Sequence, residues 1–475
     1  PGGKPLQNPV HKRPLDANKI RQPGKRVREP DRYCAGMEFL RDETETAEPT
    51  AESGFDDEKQ DLEPSSPKAF HNTPRVVVVG ASGYLGSHIV ASLLDAKCDV
   101  SAIVRDPHNL REVEHLLALP KGPEQTLVLV KADLKDPNYL ERVFEGAKYV
   151  LHADSSVVST RATRRAVKSI ALDAKARSQA LVDSAVEAVQ AILHAAKKCN
   201  VLRVCLTSSM EAVVGHYNER GACYTYSEAD WNTSATLEKY PHALSKKLSE
   251  EEAWKLSEEL TLDVVVINPG FMMGPPLADH KALRGSVDFM RELTKGGLKD
   301  GVPQYSFTMS DVRDVAQAHV TAMLQPYATG RYICAHKVDN LLDVLNLLKP
   351  EFSSLKVFPD VTVSADVFNK DIPGLVTKQW LKHFVKVDFA LDISKYQNDL
   401  ELRMRPLKAT MVDTLTAMLE LQIFARDGGR RMARRFSAPS GAVFNAAGTA
   451  LGKAAMPALF MGSGVVIGAL LFSKR

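Results

Sequence analysis

Four consecutive valines, Val76 to Val79, run straight into Gly80-Ala81-Ser82-Gly83-Tyr84-Leu85-Gly86, and this pairing constrains the fold more than any other feature of the chain. An unbroken apolar run suits a strand buried on both faces of a parallel sheet. A glycine triplet at its carboxyl end, followed by the amphipathic run Ser87 to Lys97, suits a sharp turn into a helix whose N-terminus meets a phosphate. Gly80 serves the turn, Gly83 the close approach of a diphosphate, and Gly86 the packing of helix on strand. With Ser82, Tyr84 and Leu85, these glycines form the candidate dinucleotide cradle.

Further short apolar runs follow at Asp99 to Asp106, Thr126 to Leu134, Tyr149 to Asp154, Arg203 to Ser209 and Leu262 to Gly270, with helical sequence between them. That alternation predicts right-handed βαβ units and an α/β, Rossmann-type doubly wound parallel sheet. The second run ends in Arg105, where an NAD site usually presents a carboxylate to the ribose 2′-hydroxyl, and an arginine there suits a 2′-phosphate. The expected cofactor is therefore NADP(H), with NAD(H) left open by the adjacent Asp106.

Several separate segments share a family likeness: GASGYLGSHIV, VRDP with LREVEHLLALPKG, KADL at Lys131 to Leu134, TSS at Thr207 to Ser209, ALSKKLSEEEAW from Ala243, INPGFMMGP from Ile267, DVRDVAQAHV from Asp311, and GRYIC from Gly330. In their order and spacing the chain resembles, from about Pro74 to Phe424, an extended short-chain dehydrogenase/reductase of the NAD-dependent epimerase/dehydratase superfamily, of the dihydroflavonol and cinnamoyl-CoA reductase branch. The resemblance implies a smaller C-terminal substrate lobe beside the sheet. It also implies that Gly80, Gly83, Gly86 and Arg105 hold the dinucleotide, that Asp133 and Leu134 flank the adenine, and that Pro269 lines the nicotinamide side.

The same resemblance implies a catalytic serine, a tyrosine proton donor, and a lysine four residues later that also binds the nicotinamide ribose. Ser209 and Lys246 match it; the position four before Lys246 is His242. Residues four apart share a helix face, whereas Tyr240, six away, points elsewhere and is a poor substitute. Two expectations follow. The main one is a degenerate catalytic site; the other is a histidine that donates the proton itself. A second departure is His152-Ala153-Asp154, where the family has a small neutral residue and a carboxylate would face bound phosphate or ribose unfavourably. Ser155 to Lys198 is then an Ala-rich basic stretch (Arg161, Arg164, Arg165, Lys168, Lys175, Arg177), roughly a dozen residues longer than the family's equivalent, which reads as a solvated helix face or a docking surface for an acidic partner.

Outside this region the composition changes. Residues 1–73 carry a basic segment followed by an acidic one without periodicity, the signature of a disordered or partner-wrapping extension. The first residue is Pro rather than Met, as expected after removal of a leader or trimming. Residues 425–453 form a basic linker with Arg426, Arg430, Arg431, Arg434 and Arg435, and Ala454 to Phe472 carries no charge. That last run makes roughly 28 Å of helix, enough for a bilayer core, and is expected to be a transmembrane helix. Gly464 with Gly468, and Gly448 with Gly452, would let another helix approach. The six cysteines show no metal-ligand spacing, those in strands or helices look like small buried apolar residues, a reducing compartment fits them, and no metal is expected. A net charge of only +3 and arginines without interleaved aromatics argue against nucleic acid as a partner.

The composite expectation is an NADP(H)-binding, membrane-anchored accessory subunit of an organellar complex, most simply of the mitochondrial inner membrane, with plastid or ER membrane as alternatives. Its partners would be the other subunits of that complex and the bilayer. The alternative is an active NADPH-dependent ketone or aldehyde reductase held at a membrane.

Overall fold

The computed structural model describes residues 73–131, 136–153, 174–215, 220, 223–278, 285–364, 366–381 and 389–423. The expected N-terminal extension up to residue 72, the basic linker, the span 454–472, and the residues Asp133, Leu134 and Asp154 lie outside the described residues, as do Arg161 to Lys168. Among the described residues no helix is long and apolar enough to cross a membrane.

The strands are β1 (Arg75–Val79), β2 (Asp99–Val104), β3 (Leu127–Lys131), β4 (Tyr149–His152), β5 (Arg203–Thr207), β6 (Thr225–Tyr226), β7 (Asp263–Pro269), β8 (Phe271–Met273), β9 (Val302–Pro303), β10 (Ser306–Asp311), β11 (Gly330–Cys334) and β12 (Val338–Asn340). Seven of them form one sheet in the order β3-β2-β1-β4-β5-β7-β11. Every pairing in it is parallel. The order reverses between β1 and β4, and open α/β sheets bind ligands at that switch point, outside the carboxyl ends of the strands. Among the described residues, the apolar runs of β2, β5 and β7 continue one or two residues past the strand, to Asp106, Ser209 and Gly270 at the carboxyl edge of the sheet.

The first helices are α1 (Tyr84–Asp95), α2 (Leu110–Leu117), α3 (Pro137–Phe144), α4 (Ala174–Lys198), α5 (Pro241–Leu260), α6 (Ser286–Thr294) and α7 (Val312–Leu324). Helix α1 starts three residues before the expected Ser87, because Gly86 has no Cβ to obstruct the first turn; one built there would lie 2.1 Å from the Gly80 carbonyl oxygen. Helices α1 and α7 bury Ile89, Leu93, Val315 and Val320 against one face of the sheet. Helices α3, α4 and α5 cover the other face with Leu140, Ile192, Leu193 and Leu256. Each fully buried aliphatic side chain contributes roughly 1.5–3 kcal/mol.

The smaller lobe has its own apolar core, built from Phe289, Met290, Phe307 and Met309 and from Met411, Leu415 and Met418 of the helix Leu407–Glu420. That helix is fastened by buried charge: Arg313 lies 2.7 Å from Asp311 and 2.8 Å from Asp413, and the Thr410 hydroxyl donates to Asp311 at 2.8 Å. Burial opposes the Asp311 charge, but the hydrogen bonds and charge of Arg313 outweigh it and hold the carboxyl below its ordinary range. Among the described cysteines, Cys98, Cys205 and Cys334 are buried as expected and Cys199 is half-buried, whereas Cys223, outside the strands and helices, is exposed at a positive φ just before β6.

Candidate active site

The cradle is shaped by backbone. Gly80 sits at φ +81°, in the left-handed region, and its carbonyl accepts the Gly83 amide at 3.0 Å, which closes the turn. Gly83 is the N-cap of α1 with no side-chain cap, and the first turn contains no acidic residue. The first amides of α1 are thus left for an anion such as a diphosphate. Ser82 and Leu85 are buried beside the turn, while the Tyr84 hydroxyl donates to the Gly274 carbonyl at 2.5 Å and ties the loop to the substrate lobe. The residues present therefore fit a dinucleotide.

Arg105 leaves the end of β2 as expected, but it is engaged. Its guanidinium donates to Glu112 on α2 at 2.9 Å, and Asp106 accepts the His108 amide at 3.0 Å in a local turn. The competing carboxylate at Glu112 lies seven residues on, and a helix begins between the two, so linear spacing gave no sign of the contact.

At the other end of the crevice, Ser209, Glu211, His242 and Lys246 gather at the carboxyl edge of β5 and the first turns of α5. The Ser209 hydroxyl caps the single turn Met210–Ala212 by accepting the Glu211 amide at 3.1 Å. Pro241 opens α5, a position where its missing N–H costs nothing, and His242 follows with Nδ1 2.5 Å from Glu211 Oε2. Lys246 is buried one helical turn later, while the His242 side chain is 59% exposed. Burial opposes the Glu211 charge, yet the His242 imidazole and Lys246 outweigh it and hold the carboxyl below its ordinary range. Tyr240, the N-cap of α5, is packed into the core of the smaller lobe.

A buried ion pair stands behind this corner. Glu250, one turn beyond Lys246, meets Arg331 of β11 at 2.5 Å, accepts the Ser208 hydroxyl at 2.5 Å, and accepts the Asn268 amide at 2.9 Å. The same Asn268 amide donates to the Ser209 carbonyl at 3.2 Å, and Arg331 stacks 3.9 Å from the centre of the Trp231 ring. Asn268 precedes Pro269, which is buried at the end of β7. His152 ends β4 in the switch-point floor, and among the described residues neither of its ring nitrogens has a hydrogen-bond partner. Burial first, then the charges of Lys246 and His319, push its pKa down to about 3. Glu112, Glu211 and the Glu250–Arg331 pair are site features that pattern reading missed. The one sequence signal for them was a carboxylate two residues after Ser209 and another four after Lys246.

The family model for the NAD dependent epimerase/dehydratase family matches residues 76–334. The chain belongs to that family. Within it, the chain is an extended short-chain dehydrogenase/reductase of the reductase-like, nicotinamide-dinucleotide-dependent kind. A cinnamoyl-CoA reductase of Medicago truncatula is 32% identical over 286 residues, covering 59% of this chain and 82% of the relative. A bifunctional dihydroflavonol 4-reductase/flavanone 4-reductase of Malus domestica is 26% identical over 288 residues, covering 59% and 77%. Among solved structures, yeast methylglyoxal/isovaleraldehyde reductase complexed with NADPH superimposes with a TM-score of 0.59 at 27% identity, covering 73% of this chain and 99% of that one.

Proposed function

We propose that this epimerase/dehydratase-family protein is an NADPH-dependent reductase of ketones or aldehydes, with Ser209, His242 and Lys246 at the reacting carbonyl. The observation that carries the reading is the corner itself: Ser209 and a buried Lys246 are both present, and one turn before Lys246 on α5 stands His242, a proton-transferring side chain joined to Glu211, whose amide in turn meets the Ser209 hydroxyl. The reductase names of the relatives support the same reading. Bound dihydronicotinamide supplies the hydride. The Gly80–Gly86 cradle holds its diphosphate, Arg105 selects the 2′-phosphate, and the Ser209 hydroxyl orients the carbonyl oxygen. Phe271, edge-to-face with Phe289 and Phe307 at 5.9 Å each, puts an apolar aromatic surface beside β7 and favours an apolar substituent on the substrate.

The test is NADPH oxidation over a panel of aromatic and aliphatic aldehydes and ketones, alongside coenzyme titration. Turnover that disappears in His242→Phe while NADPH still binds supports the reading. Coenzyme binding with no turnover of any carbonyl favours a second reading, a coenzyme-binding accessory subunit, which the histidine at the tyrosine position speaks for. In either case we propose that residues 454–472 anchor the chain in an organelle membrane, the mitochondrial inner membrane foremost, beside other subunits. Full-length protein should then remain in the membrane pellet after carbonate extraction, and release as a soluble monomer would reject the anchor.

A further inference from the structure

We propose that Glu211 and His242 form a proton-delivering dyad, in which Glu211 is a positioning residue that fixes the imidazole and offsets its charge. The proposal rests on the reductase reading. A carboxylate oxygen only accepts, so at 2.5 Å the contact with Glu211 Oε2 keeps the proton on His242 Nδ1 and leaves Nε2 as the nitrogen that faces other chemistry. Glu211 is itself pinned at both backbone groups. Its amide donates to the Ser209 hydroxyl at 3.1 Å, and its carbonyl accepts the buried Asn232 amide at 2.7 Å. The carboxylate is therefore set in place by the same short turn that places the serine.

Electrostatics gives the pair its purpose. A cation at His242 is opposed by the positive N-terminal end of α5 and by Lys246 four residues along the same face. Glu211, in contact with His242 and in the field of Lys246, places a carboxylate where it offsets positive charge at both. In the step, hydride adds to the carbonyl carbon, the C=O π pair moves to oxygen, and the imidazolium Nε2–H passes its proton to that oxygen. The products are an alcohol, the oxidised nicotinamide and a neutral imidazole. With its side chain 59% exposed, His242 recovers a proton from water directly.

The test is a double-mutant cycle on the full chain with Glu211→Gln, His242→Phe, His242→Tyr, and Glu211→Gln combined with His242→Tyr. Glu211→Gln is expected to lower kcat by about 10- to 100-fold, His242→Phe by about 10²-fold or more, with NADPH affinity unchanged in both. A phenol needs no carboxylate behind it, so Glu211→Gln should change little in the His242→Tyr background. Nitrogen-15 spectra of histidine-labelled protein supply the readout independent of turnover: the resonance lost in His242→Phe should report a protonated Nδ1 in the wild type and lose that preference in Glu211→Gln. Equal losses from Glu211→Gln in both backgrounds, or an unchanged tautomer, would reduce Glu211 to a structural role and overturn the dyad. Turnover that survives His242→Phe sinks the dyad and spares the reductase reading, whereas no turnover in any variant, with coenzyme still bound, sinks that reading too.

Discussion

The two ends of the crevice are built by different means. The cradle is made of backbone: a left-handed Gly80, a Gly83 amide folded onto the Gly80 carbonyl, and a helix start that tolerates no Cβ at Gly86. The donor corner is made of side chains, with Ser209, Glu211, His242 and Lys246 held by a buried Glu250–Arg331 pair behind them. Backbone conformation depends largely on a few local residue types, so the form of the cradle follows from Gly80, Gly83 and Gly86. Side-chain constellations are only as fixed as their partners, and it is at the donor corner that the chain departs from its family resemblance.

The largest expected effect falls on three buried histidines, His152 at the switch point, His88 of α1 and His319 of α7. Burial lowers the pKa values of His88 and His319 to about 4 and of His152 to about 3. Since these rings are neutral when folded and near 6.5 when unfolded, the unfolded state binds more protons below that pH, so stability present above it is lost as pH falls toward 4. Each ring accounts for about 3 kcal/mol at pH 4. Urea midpoints measured between pH 7 and 4.5 should fall accordingly, and His152→Leu should flatten the dependence; an unchanged slope in that variant would show the ring to be solvated.

Next comes the corner's support. Arg331→Met leaves the Glu250 charge buried and unpaired, at a cost of about 3–5 kcal/mol in denaturant midpoints, and turnover should fall before coenzyme binding does. If binding is lost first, the two regions are not separable. Gly86→Ala inverts that order: its Cβ would meet Gly80 backbone at 2.1 Å, so a loss of about 3 kcal/mol and of coenzyme binding is expected. Retained NADPH affinity in calorimetry would mean the loop yields where the corner does not.

The smallest effect is at Arg105. Arg105→Ala should weaken NADPH by about 1.5–3 kcal/mol and NADH far less. Glu112→Gln should do the reverse, tightening NADPH by roughly 0.2–1 kcal/mol because this partly exposed pair competes with the phosphate. A drop in NADH affinity instead would place Glu112 on the ribose hydroxyls.

Local pattern in the sequence was enough to define the parallel sheet, the glycine cradle, and the spacing that puts His242 over Lys246. Strand period and glycine stereochemistry act within a few residues, which is why the four valines and Gly80 to Gly86 were legible. Strand ends were less so, since the runs of β2, β5 and β7 go on one or two residues past the strand with no change of pattern to mark the end. What only the tertiary structure decided is which charges meet: Arg105 with Glu112, Glu211 with His242, and Glu250 with Arg331, separated by 7, 31 and 81 residues. A carboxylate carries no mark in sequence of the cation it will face, because Coulomb attraction depends on distance and burial, and both are set only when the strands and helices have packed.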